Sequence, residues 1–211
     1  MLLTLGLSGC WYELSDVVSG SDAGGDDAGC TREGMPLGPE NRTANASFEL
    51  GTDGWRSVNA QLGAVTLDGA PDGCKVARVA YDGMHTNYYL TGSPNLISAS
   101  KAGYTYRASA WVRSATTRAT AVYLHIVEPT EPAIATVQTV LLPSQGSFVR
   151  LEASAVAQGG HGLSLRVGQG VGLVPGMTSD PPEPGDAFYA DLILLSEEAP
   201  GAGKDAGADG G

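Results

Sequence analysis

The chain has 211 residues, which is enough for one domain of ordinary size with a tail at each end. It contains 30 Gly and 12 Pro, and only 17% of its residues are charged, a composition that argues against an α-helical protein. The net charge is −11 without any basic run, which argues against nucleic acid as a partner, and no apolar stretch reaches the roughly 18 residues of a membrane-spanning helix.

The chain opens with MLLTLGLSGC, and its Leu7-Ser8-Gly9-Cys10 segment resembles a bacterial lipobox, in which Cys10 carries lipid. The opening has no Lys or Arg and only a short apolar run, unlike a complete signal peptide. Either the true start lies upstream of Met1, or Cys10 is an ordinary cysteine. The acidic segment SGSDAGGDDAG (residues 19–29) favours the first interpretation, since a tether is expected behind a lipid anchor. We therefore expect an exported outer-membrane or cell-surface lipoprotein that touches the membrane only through its lipid.

Four regions follow from these patterns along the chain. Residues 1–9 are a signal remnant, 10–40 a flexible acidic tether, 41–198 a β-sandwich module, and 199–211 a disordered tail. If Cys10 is lipidated, Cys30 and Cys74 form an even pair, and a disulfide between them would tie the tether to the domain. Two free buried cysteines are the alternative.

Ten short runs bounded by Gly, Pro, Asn and Asp predict β-strands. Several alternate with period two, which gives each strand one core face and one solvent face; Val122, Leu124 and Ile126 oppose Tyr123 and His125. This pattern predicts an all-β fold, an antiparallel β-sandwich or jelly roll, with a helical turn possible only over Asn95–Lys101. The predicted strands are Ala46–Leu50, Ala64–Asp68, Val76–Tyr81, Asn87–Thr91, Tyr104–Ser114, Ala121–Glu128, Thr136–Leu142, Phe148–Ala155, Leu163–Gln169 and Ala187–Ser196.

Three segments occur in a recognisable order: NASFELGTDGW at 45–55, AGYTYRASAWVR at 102–113, and FYADLIL at 188–194. Together they resemble the carbohydrate-binding modules of families 4, 9 and 22, which have a galactose-binding-like jelly roll. The resemblance covers residues 45–196. It departs from the family at Leu192, where a second acid usually follows Asp191.

The resemblance implies a structural Ca²⁺ site where the first and last strands meet. The matching residues are Glu49 and Asp191, with Asp72 and the main-chain carbonyl of Lys75 added by a loop. Carboxylate and carbonyl oxygens are the ligands that Ca²⁺ prefers. In the alternative these acids are surface charges, an unfavourable crowding of like charges.

Sugars stack on aromatic rings and hydrogen-bond to planar polar groups, and side chains of both kinds occur on the predicted strands. Trp111 and Trp55 are at least equally well explained as core residues, and only one of Tyr88 and Tyr89 can point outward because they are adjacent. The candidate ligand-binding residues are Tyr88, Tyr89, Arg107, Tyr123, His125 and Arg166.

These observations favour a lipid-anchored, non-catalytic carbohydrate-binding protein that holds polysaccharide or envelope glycan. The alternative is a structural or adhesive surface lipoprotein whose jelly roll does not bind sugar. Three dispersed His and the lack of nucleophile, zinc and phosphate-loop motifs argue against an enzyme, so any glycosidase activity is expected in a separate protein. Convergence of the candidate residues in one groove would distinguish the two hypotheses.

Overall fold

The computed structural model describes residues 40–92, 96–117, 120–129, 134–142, 146–170 and 181–201. These residues form ten β-strands and no helix. The strands are β1 (Trp55–Val58), β2 (Ala60–Thr66), β3 (Lys75–Tyr81), β4 (Asn87–Gly92), β5 (Thr105–Ser114), β6 (Thr120–Glu128), β7 (Ile134–Leu142), β8 (Val149–Val156), β9 (Ser164–Gly170) and β10 (Ala187–Glu198).

The strands form two antiparallel five-stranded sheets. Sheet A has the order β2-β3-β10-β5-β8, and sheet B has the order β1-β4-β9-β6-β7. Consecutive strands frequently lie in different sheets, so the chain crosses between the layers repeatedly. The predicted all-β antiparallel sandwich is confirmed.

The core lies between the two sheets and follows the predicted alternation. Val122, Leu124 and Ile126 of β6 are at most 1% exposed, as the sequence pattern predicts. Leu165 and Val167 of β9 are fully buried beside them. Burial of each large apolar side chain contributes about 1.5–3 kcal/mol to folding, and this burial fixes which residues face outward.

The segment predicted as the first strand, Ala46–Leu50, forms turns instead. Asn45 and Phe48 have φ angles of 48° and 59°, which a strand cannot accommodate. The Asn45 side-chain amide donates to the carbonyls of Gly51 and Asp53, so a local side-chain network replaces strand pairing. Phe48 is nevertheless fully buried.

The possible helical turn at Asn95–Lys101 is also wrong for its described part, residues 96–101. Ile97 forms an isolated β-bridge with Leu163, with N···O distances of 3.3 and 2.8 Å. This segment therefore extends the sheet pairing towards β9 rather than coiling on itself.

The first residues of the described domain pair with its last strand, β10. Asn41 bridges Ser196 near the end of β10, and the backbone N–H of Arg42 donates to the Leu195 carbonyl at 2.7 Å. The Arg42 guanidinium also pairs with Glu197. The predicted signal remnant, nearly all of the tether with Cys10 and Cys30, and nearly all of the tail lie outside the described residues. Within the described ranges, no helix is long and apolar enough to cross a membrane.

Candidate functional site

Four of the predicted sugar-binding residues share the outer face of sheet B, and we call these four the aromatic face: Tyr89, Tyr123, His125 and Arg166. Strand register brings them together, because Tyr89 and Tyr123 flank Gly168 in one row across β4, β9 and β6. In the next row His125 lies opposite Arg166. All four are out of phase with the core residues of the same strands, so they face away from the core. Tyr89 and Arg166 are partly exposed, whereas Tyr123 and His125 are only 3% and 9% exposed.

Ring contacts organise the aromatic face. The Arg166 guanidinium carbon lies 5.1 Å from the centroid of the Tyr89 ring, which is within range for a cation–π contact. The rings of Tyr123 and His125 meet edge to face, with centroids 6.3 Å apart and planes at 73°. Planar aromatic and guanidinium groups therefore lie side by side across three strands.

Gly168 permits this arrangement and was not among the predicted site residues. A Cβ at this position would lie 2.4 Å from the Cβ of Tyr89 and 2.4 Å from the Tyr88 carbonyl oxygen. No side chain fits there, so the tyrosine approaches the backbone of β9 closely. A glycine inside a strand pattern signals such an approach, and this signal was present in the sequence.

The pKa of His125 is strongly perturbed by its position on the aromatic face. Neither ring nitrogen has a hydrogen-bond partner among the described residues, and both atoms are buried. Burial, and secondarily the Arg166 charge, lowers the pKa of His125 to about 4. The imidazole is therefore neutral at neutral pH and presents one donor and one acceptor without partners.

Burial also raises the pKa of Tyr123 well above its usual range. Its hydroxyl therefore remains protonated at any physiological pH, so it can donate as well as accept a hydrogen bond. Neutral donors and acceptors next to aromatic rings suit an uncharged polyhydroxylated ligand better than an anion.

Two predicted ligand-binding residues do not belong to this face. Tyr88 is fully buried in the core, where its hydroxyl donates to Gln169 Oε1 at 2.8 Å. Arg107 is exposed but lies on sheet A, where its Nε donates to Glu198 Oε2 at 3.0 Å. Alternation predicted correctly that Arg107 points outward, but it could not assign β5 to a sheet.

The structure describes two tryptophans, and their burial differs. Trp55 is 6% exposed and donates its indole N–H to the Asn45 carbonyl at 3.1 Å, so the core interpretation is confirmed for it. Trp111 instead lies on the outer face of sheet A and is half-buried, out of phase with the fully buried Ala110 and Val112. The core interpretation is therefore wrong for Trp111.

The acids that the resemblance assigns to calcium do converge. Glu49 Oε1 accepts hydrogen bonds from the backbone N–H groups of Cys74 and Lys75, at 2.8 and 2.7 Å. Asp191, with no exposed surface, accepts from the N–H of Asp72 at 2.9 Å and from that of Leu192 at 2.8 Å. Backbone N–H groups of the segment 72–75 therefore donate hydrogen bonds to both carboxylates.

The pKa of Asp191 shows that positive charge does not balance the acidic cluster formed by Glu49, Asp72 and Asp191. Burial, with additional repulsion from the Asp72 and Glu49 carboxylates, raises the pKa of Asp191 to about 7, although the backbone donors act in the opposite direction. Gly73 makes the close approach possible, because a Cβ there would lie 2.2 Å from Glu49 Oε1.

The predicted ligands, three carboxylates and the main-chain carbonyl of Lys75, are oxygen donors of the kind that Ca²⁺ prefers. The described residues nevertheless contain no group of three or more His, Cys, Asp or Glu arranged to hold a metal ion. The carboxylate oxygens of Glu49 and Asp191 accept hydrogen bonds from backbone N–H groups instead. Coordination would require Glu49, Asp72 and Asp191 to turn toward a common point.

No protein-family model and no curated protein sequence matches this chain. Solved structures do match. The CBM22-1 xylan-binding domain from Paenibacillus barcinonensis Xyn10C superposes with a TM-score of 0.56 at 12% identity, over 80% of this chain and 97% of that domain. The module TmCBM61, solved in complex with β-1,4-galactotriose, gives 0.51 at 15% identity, over 75% of this chain and 99% of that one.

The arabinose-bound α-L-arabinofuranosidase MgGH51 also matches, with a TM-score of 0.54 at 12% identity. The match covers 82% of this chain but only 27% of the enzyme. At these identities the similarity concerns the fold. The jelly roll of carbohydrate-binding modules, expected from three short sequence segments, is thereby confirmed.

Proposed function

We propose that this chain is a non-catalytic glycan-binding module whose binding surface is the aromatic face of sheet B. The observation that carries the proposal is the convergence of Tyr89, Tyr123, His125 and Arg166 on one outer face. The similarity to carbohydrate-binding modules, matched over 97% and 99% of their lengths, supports the same function.

The chemistry of this face suits sugar hydroxyl groups. A hydroxyl both donates and accepts, so a sugar matches the neutral imidazole of His125, whose ring nitrogens have no partner among the described residues. Because both nitrogens are buried, contact with a sugar would require the imidazole to turn outward. The Tyr89 ring is half-buried and offers an apolar surface for the C–H groups of a pyranose. Arg166 adds N–H donors beside it.

The strands that carry this face do not supply glycosidase chemistry. Glycoside hydrolysis ordinarily requires two carboxyl groups on either side of the scissile bond. The five strands of sheet B contain one acid, Glu128, which is 1% exposed. Its carboxylate is held by the Ser100 hydroxyl and by the backbone N–H groups of Gln158 and Gly159. This supports binding without catalysis.

We further propose that a lipid on Cys10 holds the module at the outer-membrane or cell surface, that Ca²⁺ binds at Glu49, Asp72, Asp191 and the Lys75 carbonyl, and that Cys30 and Cys74 form a disulfide. The sequence patterns support these three assignments. Mass spectrometry of periplasmically expressed protein checks the disulfide, and free thiols on both cysteines would contradict it.

A glycan array, followed by calorimetry with the best neutral oligosaccharide, tests the main proposal. Tyr89→Ala and Arg166→Gln should each weaken binding at least tenfold. Arg107→Gln should not change it, because this arginine lies on the other sheet. Retained affinity in both of the first two variants would refute the assignment, and no binding to any glycan would favour a structural or adhesive protein.

A further inference from the structure

A cavity of about 810 Å³ lies on the outer face of sheet A, on the opposite side of the sandwich from the aromatic face. Four parts of the chain line it: the loop between β2 and β3, the outer face of β5, the segment before β8, and Leu192 of β10. Its volume lies within the range of about 300–1,000 Å³ found for small-molecule sites. The lining side chains that matter here are those of Asp68, Trp111, Arg113, Ser147 and Phe148.

Arg113 distinguishes this cavity from the rest of sheet A. Its guanidinium carbon lies 6.0 Å from the ring centroids of Phe148 and Tyr189, and its Nε is buried with no hydrogen-bond partner among the described residues. It forms no ion pair with the residues that the structure describes. By contrast, Arg107 and Arg150 on the same face are each paired with a glutamate at 3.0 Å. Arg113 is therefore a cation held between aromatic rings with an unused donor.

The remaining lining groups suit a sugar. Trp111 precedes Arg113 by two residues in β5, so both side chains project from the same face of the sheet. Trp111 and Phe148 are both half-buried, which leaves part of each ring accessible for stacking. Asp68 and Ser147 are exposed and provide an acceptor and a hydroxyl group for sugar hydroxyls.

We propose that this cavity is a second carbohydrate site, which takes a sugar unit that carries a carboxylate, as in a uronic acid. The guanidinium fork of Arg113 matches a carboxylate in geometry and charge. The sugar ring stacks on Trp111. The cavity shares no residue with the aromatic face, so this proposal stands or fails independently of neutral-glycan binding there.

Calorimetry on the full chain tests the proposal with trigalacturonate and its neutral methyl ester in the same buffer. We expect the acid to bind at least tenfold more tightly than the ester. Arg113→Gln should weaken binding of the acid at least tenfold and leave that of the ester unchanged. Arg150→Gln, which removes an exposed, ion-paired charge opposite Trp111, is the matched control and should bind like the wild type.

Equal affinity for acid and ester, or wild-type affinity in Arg113→Gln, would overturn the proposal. So would a lack of binding to oligomers of galacturonate, glucuronate and mannuronate alike. Loss of acid binding in Arg166→Gln but not in Arg113→Gln would move the acid to the aromatic face and equally refute the second site. Trp111→Phe, with folding checked by its melting temperature, should retain weakened acid binding, whereas Trp111→Ala should abolish it.

Discussion

Calcium should stabilise this domain in a way that depends on pH, because a proton and the metal would compete for Asp191. The pKa of this carboxyl is raised to about 7 by burial and by the nearby acids. A carboxyl whose pKa is raised on folding stabilises the folded protein fully below its pKa in the unfolded chain, about 3.9. This stabilisation is lost as the pH rises through 7. At about 1.4 kcal/mol per pH unit, the cluster without metal costs about 4 kcal/mol at pH 8 relative to pH 4.

Calcium would offset that cost only where the carboxyl is ionised. With Ca²⁺ at 100 times the dissociation constant of the ionised site, the domain should gain about 2.7 kcal/mol at pH 8. The ionised fraction falls about tenfold per pH unit below 7, so the gain should shrink to about 1.4 kcal/mol at pH 6 and about 0.4 kcal/mol at pH 5. For a domain of this size, the gain at pH 8 corresponds to a rise of about 5–11 °C in melting temperature.

The assay compares melting temperatures in EDTA and in millimolar Ca²⁺ across this pH range. The difference between the two conditions isolates the cluster, because groups distant from the metal contribute equally to both. Glu49→Gln should remove the response, and Glu152→Gln, an exposed acid on β8, should retain it. A calcium response of the same size at pH 5 and pH 8 would refute the role of Asp191, and no response at pH 8 would refute the site.

Three further predictions follow from other parts of the molecule. The pKa of His125 is lowered to about 4 in the folded protein, against about 6.5 in the unfolded chain. The free energy of unfolding should therefore decrease by about 3 kcal/mol as the pH falls from 6.5 to 4. Denaturant titrations of His125→Phe should lack this slope, whereas the exposed His85→Gln should keep it. Gly168→Ala should destabilise the domain by about 1–3 kcal/mol and weaken neutral-glycan binding, since its Cβ would displace the neighbouring tyrosine; wild-type values for both would contradict this account of the aromatic face. Finally, expressed with its natural upstream sequence, the protein should incorporate labelled palmitate, and Cys10→Ala should release it from membranes; unchanged membrane association would exclude the anchor.

Alternation within strands was the most informative sequence signal. It predicts that Tyr123 and His125 of β6 lie on the solvent face; the register places both on the outer side of sheet B, but they are only 3% and 9% exposed, so the predicted solvent exposure is wrong. It could not decide between Tyr88 and Tyr89, because neighbouring residues of similar character fit either phase. Only the pairing of β4 with β9 resolves the choice.

The sequence patterns could not predict to which sheet each strand belongs, nor the local backbone conformation of the turns. Arg107 faces outward as predicted but on the other layer, since β5 pairs with β8 and β10 through contacts that are distant in the chain. The sequence pattern predicts a strand at Phe48, where the structure has a turn, because nothing in the composition indicates that an apolar residue has a positive φ. The close approaches of a side chain to the backbone are signalled in the sequence only by glycines, at 73 and at 168.

The β-bridge between Asn41 and Ser196 means that the described domain begins and ends at the same place on its surface. A short linker could therefore join residue 198 to residue 41, and the chain could be opened at another exposed turn without separating any strand pair. Such a circular permutant should keep both sheets and both outer faces. By the same geometry, the module could be inserted into a surface loop of another protein, because the host chain would leave and return at nearly one point.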